Sequence, residues 1–260
     1  MLLTTLNMNG IRAAERKGFF PWLETTAPDF VCLQETRVRD HQMSAEMQTP
    51  PGGYHAFYQH AEKPGYSGVA IYSKRKPDRV ITKLGWEPAD REGRFIQADY
   101  GKLSIVSVYV PSGSSGEVRQ AFKYEFLDVF HEWLRAQKRK RRQTIICGDF
   151  NIAHKKIDIK NWRGNQKNSG FLPDERAWMT SVFDDTGFVD VFRELNQKEE
   201  QYTWWSNRGQ AWANNTGWRL DYQIATPKIA ASRVSEGIYR DGRFSDHAPF
   251  SVRYDWPLQE

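Results

Sequence analysis

Two strand-like runs, residues 94–100 and 103–110, are joined by nothing longer than the turn "YGK". A link that short sends the chain back on itself, because parallel neighbours need a crossover of a dozen or more residues. The pair is therefore an antiparallel hairpin, which argues against an all-parallel doubly wound sheet. Further short apolar or alternating runs at 2–7, 29–34, 54–60, 68–73, 144–150, 201–205, 219–225 and 249–255 read as strands, and helical spacing recurs near 19–26, 40–47, 117–138, 174–185 and 188–195. Two mixed sheets packed face to face with helices outside, an α/β architecture, is the simplest way to cover so many strands. The 260 residues hold no internal repeat, low-complexity tract or Pro/Ser linker, which predicts one domain over 1–260.

Charge and cysteine use narrow the setting. Lys and Arg number 37 against 32 Asp and Glu, giving +5 and a pI near 9.1, a balance that leans toward a polyanionic partner. Part of the excess is "KRKRR" (138–142), which follows a helical stripe of Phe122, Phe126, Val129, Phe130, Trp133 and Leu134. Cations at a helix C-terminus complement its dipole, so a solvated helix end is a simpler reading than a phosphate patch or localisation signal. Cys32 and Cys147 sit in apolar runs and read as reduced thiols of a reducing compartment. The start "MLLTTLNMNG" has no basic segment, and nowhere do about eighteen apolar residues run together, so a cytoplasmic protein with no membrane span is expected. Several of the ten tryptophans lie in the polar stretch "QYTWWSNRGQAWANNTGWR" (201–219), where a core role explains them less well.

The strand ends are where polar residues gather. "TIICGDFNIAH" (144–154) runs apolar for four residues and stops on Gly148, Asp149 and Asn151, and strand alternation puts Asp149 and Asn151 on one face. "LLTTLNMNG" ends on Asn7, "DFVCLQET" carries Val31, Leu33 and Glu35 on one face, and "LSIVSVYVPSG" ends near Tyr109. "WRLDYQIA" alternates so that Arg219, Asp221 and Gln223 oppose Leu220, Tyr222 and Ile224, and "FSDHAPF" adds Asp246 and His247. Each alone has a plain alternative, a cap, a turn or a half-buried phenol. Together they suggest a shared pocket at one sheet edge. Oxygen ligands such as Glu35 and the Asn7 amide suit Mg²⁺ or Mn²⁺, whereas a zinc site would need close His/Cys pairs that are missing. A His paired with a carboxylate serves as an acid/base or, when cationic, as a phosphate ligand. The Gly-x-Ser-x-Gly turn of an acyl hydrolase is absent.

In order along the chain, "LNMNGIRA", "CLQETR", "GYSGVAIYSK", "YVPSG", "CGDFNIAH", "NSGFLPDER", "NTGWRLDY" and "SDHAPF" resemble the motifs of the exonuclease III family of abasic-site DNA endonucleases, within the endonuclease/exonuclease/phosphatase superfamily. The likeness spans nearly the whole chain. "GDFN" or "SDH" alone indicates only the superfamily, while "GWRLDY" with "YTWW" is more particular to the abasic endonucleases.

The resemblance implies a four-layered α/β sandwich of the DNase I-like type and Mg²⁺-dependent hydrolysis of the phosphodiester 5′ to an abasic site, in base-excision repair. It implies further that 3′-phosphatase, 3′-phosphodiesterase and 3′→5′ exonuclease activities share the site. By motif, Glu35 is the expected metal ligand with Asn7 beside it and Asp246 as a further or water-mediated one. Asp149 is expected to orient or deprotonate the attacking water, Asn151 and Tyr109 to touch the phosphate, and His247 to pair with Asp221. Trp204, Trp218 and Leu220 match positions that receive the flipped-out deoxyribose, and Arg12 is expected on the DNA face. Two departures stand out: Ser112 follows "YVP" where Asn is frequent, and Asn9 stands where some members carry Asp. The expected partner is double-stranded DNA with abasic sites or blocked 3′ ends, bound by a monomer that associates with the nucleoid through DNA. The rival readings are a superfamily phosphatase of small phosphoesters and a non-catalytic DNA-binding protein on the same scaffold.

Overall fold

The structure, a computed structural model, describes residues 1–258. In chain order its strands are β1 (Leu2–Asn7), β2 (Phe30–Gln34), β3 (His55–Gln59), β4 (Val69–Ser73), β5 (Arg79–Ile81), β6 (Phe95–Tyr100), β7 (Leu103–Tyr109), β8 (Gln143–Asp149), β9 (Val189–Asp190), β10 (Trp204–Trp205), β11 (Gly217–Trp218), β12 (Asp221–Ala225), β13 (Arg233–Ile238) and β14 (Phe250–Tyr254). They form two six-stranded sheets, ordered β13-β14-β1-β2-β4-β3 and β5-β6-β7-β8-β12-β9, and a small ribbon of β10 with β11. Both large sheets are mixed: β1 with β2 and β7 with β8 are parallel, and the other pairs are antiparallel, including the β6–β7 hairpin.

The inner faces meet in a core of Phe30, Cys32, Ile71, Ile96, Ile105, Ile145, Cys147 and Val252, in which both cysteines are buried free thiols. Outside the second sheet lie the helices Glu117–Lys138 and Pro173–Thr186, whose Phe126, Phe130, Leu134, Met179 and Val182 cover Val106, Val108, Ile146 and Ile224. Outside the first sheet Ile11, Phe19, Phe20 and Leu23 of two N-terminal helices cover Leu6, Val31, Leu33 and Tyr72. The result is the four-layered α/β sandwich. Central strands such as β4 and β7 are buried along their whole length because helices and sheet cover them on both sides, so they read as continuous apolar runs. No described helix is long and apolar enough to cross a membrane.

Several local readings shift. The helix foreseen at 40–47 is a 3₁₀ turn, Asp40–Gln42, then a short helix capped by Ser44, and 188–195 splits into β9 and the helix Val191–Leu195. Edge strand β13 carries no clear apolar alternation in its sequence, and the shorter helix Ile11–Arg16 begins after Gly10 with no side-chain cap. Trp205, expected to be poorly explained by a core, is fully buried.

Candidate active site

The C-terminal ends of β1, β7 and β8 and the start of antiparallel β12 lie at one edge, with Asp221 opposite Asp149 in register. Beyond this edge opens a cleft of about 810 Å³ lined by Glu35, Tyr109, Asp149, Asn151, Trp204, Trp218, Leu220, Asp246 and His247 among others. The backbone lets these groups converge. A Cβ on Gly148 would fall 1.9 Å from the Val108 carbonyl oxygen, so glycine is required for β7 and β8 to close beside Asp149. Glu35 and Asn151 both have left-handed backbones, with φ of 50° each. Their side chains thus reach the site by turns just past the strands, and strand alternation does not account for them. Asn151 folds back so that its N–H donates to Asp149 Oδ1 at 2.8 Å.

Asp149 is buried at 1% exposure and accepts from the Asn7 amide at 2.9 Å and the Asn151 amide at 3.2 Å. Burial pushes its carboxyl up to about 7 and neighbouring Asp221 adds to the rise, against the pull of the His247 charge and the Asn151 and Asn7 donors. Asn7 donates from the same amide nitrogen to Glu35 Oε1 at 2.8 Å, while its amide oxygen accepts from the Asn9 N–H at 2.9 Å. In this arrangement Asn7 holds two carboxylates together through its N–H groups, and its oxygen, the expected metal donor, is already engaged by backbone. His247 Nδ1 donates to Asp221 Oδ2 at 2.8 Å and its Nε2 lies 3.8 Å from Asp149 Oδ2. Burial alone lowers the imidazole's proton affinity, but the Asp221 and Asp149 carboxylates outweigh it and hold the ring cationic. Asp246 accepts from Asn9 at 2.9 Å and from the Trp204 indole at 3.1 Å; burial pushes it up, yet His247 and these donors keep it below the ordinary range.

The oxygen-rich donor set fits a hard divalent cation. Asp149, Asp221 and His247 offer ligand atoms within 4.8 Å of one another, and Asp221 Oδ1 is a buried oxygen with no hydrogen-bond partner among the described residues. His247, however, is committed through Nδ1 and cationic, so carboxylate oxygens are the better ligands. Glu35, at the cleft wall, keeps its second oxygen against the Arg37 guanidinium.

The far wall is apolar. Trp204 and Trp218 face each other across β10 and β11, with ring centroids 6.0 Å apart at 88°, and pack with Leu220 on Phe171 and Ile159. Gly170, at φ +94°, lies against Trp218, where a Cβ would meet the ring at 3.1 Å. Both Trp side chains are half-buried rather than core. Ser112 also lines the cleft, its hydroxyl 2.9 Å from that of Ser114. Arg12 is not brought into this cleft: it lines a neighbouring hollow with Gly10, Ala13, Arg16, Arg37 and Gly65, and Arg37 borders both.

Sequence reasoning missed the supports. Buried Lys123 donates to the Asn151 carbonyl at 2.8 Å and to Glu175 at 2.6 Å, and Glu175 in turn accepts from the Gly170 and Leu172 N–H groups. The signal was there: Lys123 shares the helix face of Phe126, Leu127 and Phe130, a core-facing position where a lone cation needs a partner.

Comparison with known proteins agrees with this geometry. Residues 4–247 match the Endonuclease/Exonuclease/phosphatase family. The chain is 36% identical to an exodeoxyribonuclease of Bacillus subtilis over 97% of its own length and 98% of that protein, and 36% identical to the DNA repair nuclease APEX1 of Danio rerio, covering 97% and 81%. Among solved structures, an AP endonuclease from Archaeoglobus fulgidus superposes with a TM-score of 0.89 at 30% identity, covering 98% of this chain and 100% of that one. The 3′ phosphatase NExo from Neisseria, bound to product DNA hairpin, also gives 0.89, at 25% identity and the same coverage. With its full-length match and its two-sheet frame, this chain belongs to the endonuclease/exonuclease/phosphatase family, in the branch of exonuclease III and the AP endonucleases.

Proposed function

We propose that the chain is a Mg²⁺-dependent abasic-site endonuclease of base-excision repair, with Mn²⁺ as an alternative ion. It hydrolyses the phosphodiester 5′ to the abasic site and leaves a 3′-hydroxyl and a 5′-deoxyribose phosphate. The observation that carries this reading is the aromatic wall of Trp204 and Trp218 in the same cleft as the Asp149–Asp221–His247 cluster. An abasic sugar leaves the helix at low cost, having no base to unstack, and an apolar pocket too snug for a nucleotide selects it. A phosphatase of small phosphoesters would leave that wall without a role, and a non-catalytic DNA binder would leave the buried charged cluster without one.

The chain's own residues divide the work. Asp149, aimed by Asn7 and Asn151, receives a proton from water in line with the P–O3′ bond; its raised proton affinity suits a general base. His247, fixed by Asp221, donates from Nε2 to a phosphoryl oxygen. Tyr109, whose phenol is driven up by burial and by Glu35 and so stays protonated, donates to another. Glu35 and Asp246, both on the cleft wall, would hold the Mg²⁺, which would supply positive charge to the phosphoryl and leaving oxygens, and the departing O3′ takes its proton from solvent water. Trimming of blocked 3′ ends and 3′→5′ exonuclease activity would use the same groups, with double-stranded DNA as partner and one chain as the active unit. The test is an end-labelled abasic duplex incubated with pure protein. The reading expects one incision 5′ to the abasic site, abolished by EDTA and restored by Mg²⁺. Faster turnover of a simple sugar phosphate than of the duplex would overturn it.

A further inference from the structure

Tyr109 ends β7 at the cleft, and a single residue on the approach to β6 grips it three ways. The Tyr109 N–H donates to the Arg94 carbonyl at 2.9 Å, Arg94 Nη1 donates back to the Tyr109 carbonyl at 3.0 Å, and the guanidinium carbon lies 4.6 Å from the phenol ring centroid. Arg94 is only 1% exposed, and a buried cation is costly unless paired. Glu92 accepts from its Nε at 2.6 Å and the Tyr66 hydroxyl from its Nη2 at 3.1 Å. Partly exposed Arg119 donates to the same Glu92 at 2.9 Å and the same Tyr66 hydroxyl at 2.9 Å. Two guanidinium groups thus share one carboxylate, and the surplus positive charge lies against the face of the Tyr109 ring.

A staple for the hairpin would not need this arrangement. The β6–β7 ladder already pairs from Phe95–Val108 to Tyr100–Leu103, and an apolar side chain would fill the site without a desolvated charge. Apart from the bond to Glu92, every side-chain hydrogen bond and cation–π contact of Arg94 among the described residues goes to Tyr109 or to Tyr66. We infer that Arg94 is a positioning residue for Tyr109: it fixes the direction of the phenol and, by holding a cation over the ring, makes the hydroxyl a stronger hydrogen-bond donor to phosphate. The inference rests on the reading that Tyr109 donates to the phosphoryl group.

The experiment is a double-mutant cycle on the abasic duplex at saturating Mg²⁺, reading kcat and KM separately. Arg94→Lys keeps the charge but loses the flat fork, and should lower kcat about tenfold with KM within about twofold. In the Tyr109→Phe background the same change should cost less than about twofold, because the phenol it serves is gone. Equal losses in both backgrounds would overturn the inference in favour of a purely structural role. Should Arg94→Lys fail to fold, Tyr66→Phe decides: it removes one hydroxyl from Arg94, should lower kcat about threefold, and should lose that effect without the Tyr109 hydroxyl. An unchanged kcat, or the same loss in both backgrounds, would overturn it. Tyr109→Phe with wild-type kcat would overturn it by a different route, since then Tyr109 is no donor at all.

Discussion

Asp149 and Asp158 are both buried, at 1% and 0% exposure, yet their carboxyls are driven in opposite directions. Around Asp158 the charges close. Arg219 donates at 2.8 Å, Arg193 at 2.7 Å and the Lys155 N–H at 2.9 Å, and Arg219 also pairs with Asp190 at 2.7 Å. Burial pushes Asp158 up, but these partners overcome it and hold the carboxyl at about 2. Around Asp149 they do not close: its hydrogen-bond donors are neutral amides, the one nearby cation, His247, is shared with Asp221 and does not overcome burial, and Asp221 repels it. The lesson is that burial alone does not mark a site. The Asp158 network braces the segment that leads from Trp218 in β11 through Leu220 to Asp221 at the start of β12, whereas the Asp149 cluster keeps a surplus of carboxylate charge that a divalent cation would satisfy.

Breaking the closed network should have the largest effect. Asp158→Asn leaves Arg219 and Arg193 short of a counter-charge and should cost about 3–5 kcal/mol in urea melts at pH 7, lowering every activity together. Because Asp158 is depressed in the folded state, its contribution is present above the unfolded value of 3.8 and is lost as pH falls toward about 2, so wild type and variant should converge there. Asp149→Asn should do the reverse. Its raised carboxyl costs stability at neutral pH, so the variant should melt no lower than wild type at pH 8 while turnover on the abasic duplex drops about 10²-fold or more. Cleavage within a few-fold of wild type would remove Asp149 from the mechanism.

Smaller changes sharpen the contrast. Trp218→Ala should fold and lose about tenfold in its preference for abasic over intact duplex, with a smaller loss on a 3′-phosphate end. A melt lowered by about 3–5 kcal/mol with an unchanged ratio would mean that Trp218 is core. Glu35→Gln should weaken activity by a few-fold to about tenfold at low Mg²⁺ and regain part of it at high Mg²⁺. A Mg²⁺ titration identical to wild type would show that Glu35 holds no metal.

Much of this frame was legible. The apolar stripe predicted the helix Glu117–Lys138 to the residue, and the "YGK" link predicted the β6–β7 hairpin, because period and turn length are local properties. The polar strand ends at Asn7, Tyr109, Asp149 and Asp221 are likewise local, and the structure brings them to one edge. What stayed hidden depends on partners distant in sequence. Nothing in "KKIDIK" (155–160) announces that its Asp158 meets Arg193 and Arg219, and Arg94 gives no sign of Tyr109 until the hairpin closes. Asn151 joins Asp149 through a left-handed turn that alternation does not describe.

The contrast between the two aspartates is itself measurable. Carbon-13 titration of the carboxyl groups in metal-free protein, with Asp149→Asn and Asp158→Asn to assign the signals, should place Asp149 at about 7 and Asp158 at about 2. An Asp149 midpoint in the ordinary range near the model-peptide value of about 4 would contradict the account, because its charge would then be as well compensated as that of a surface aspartate.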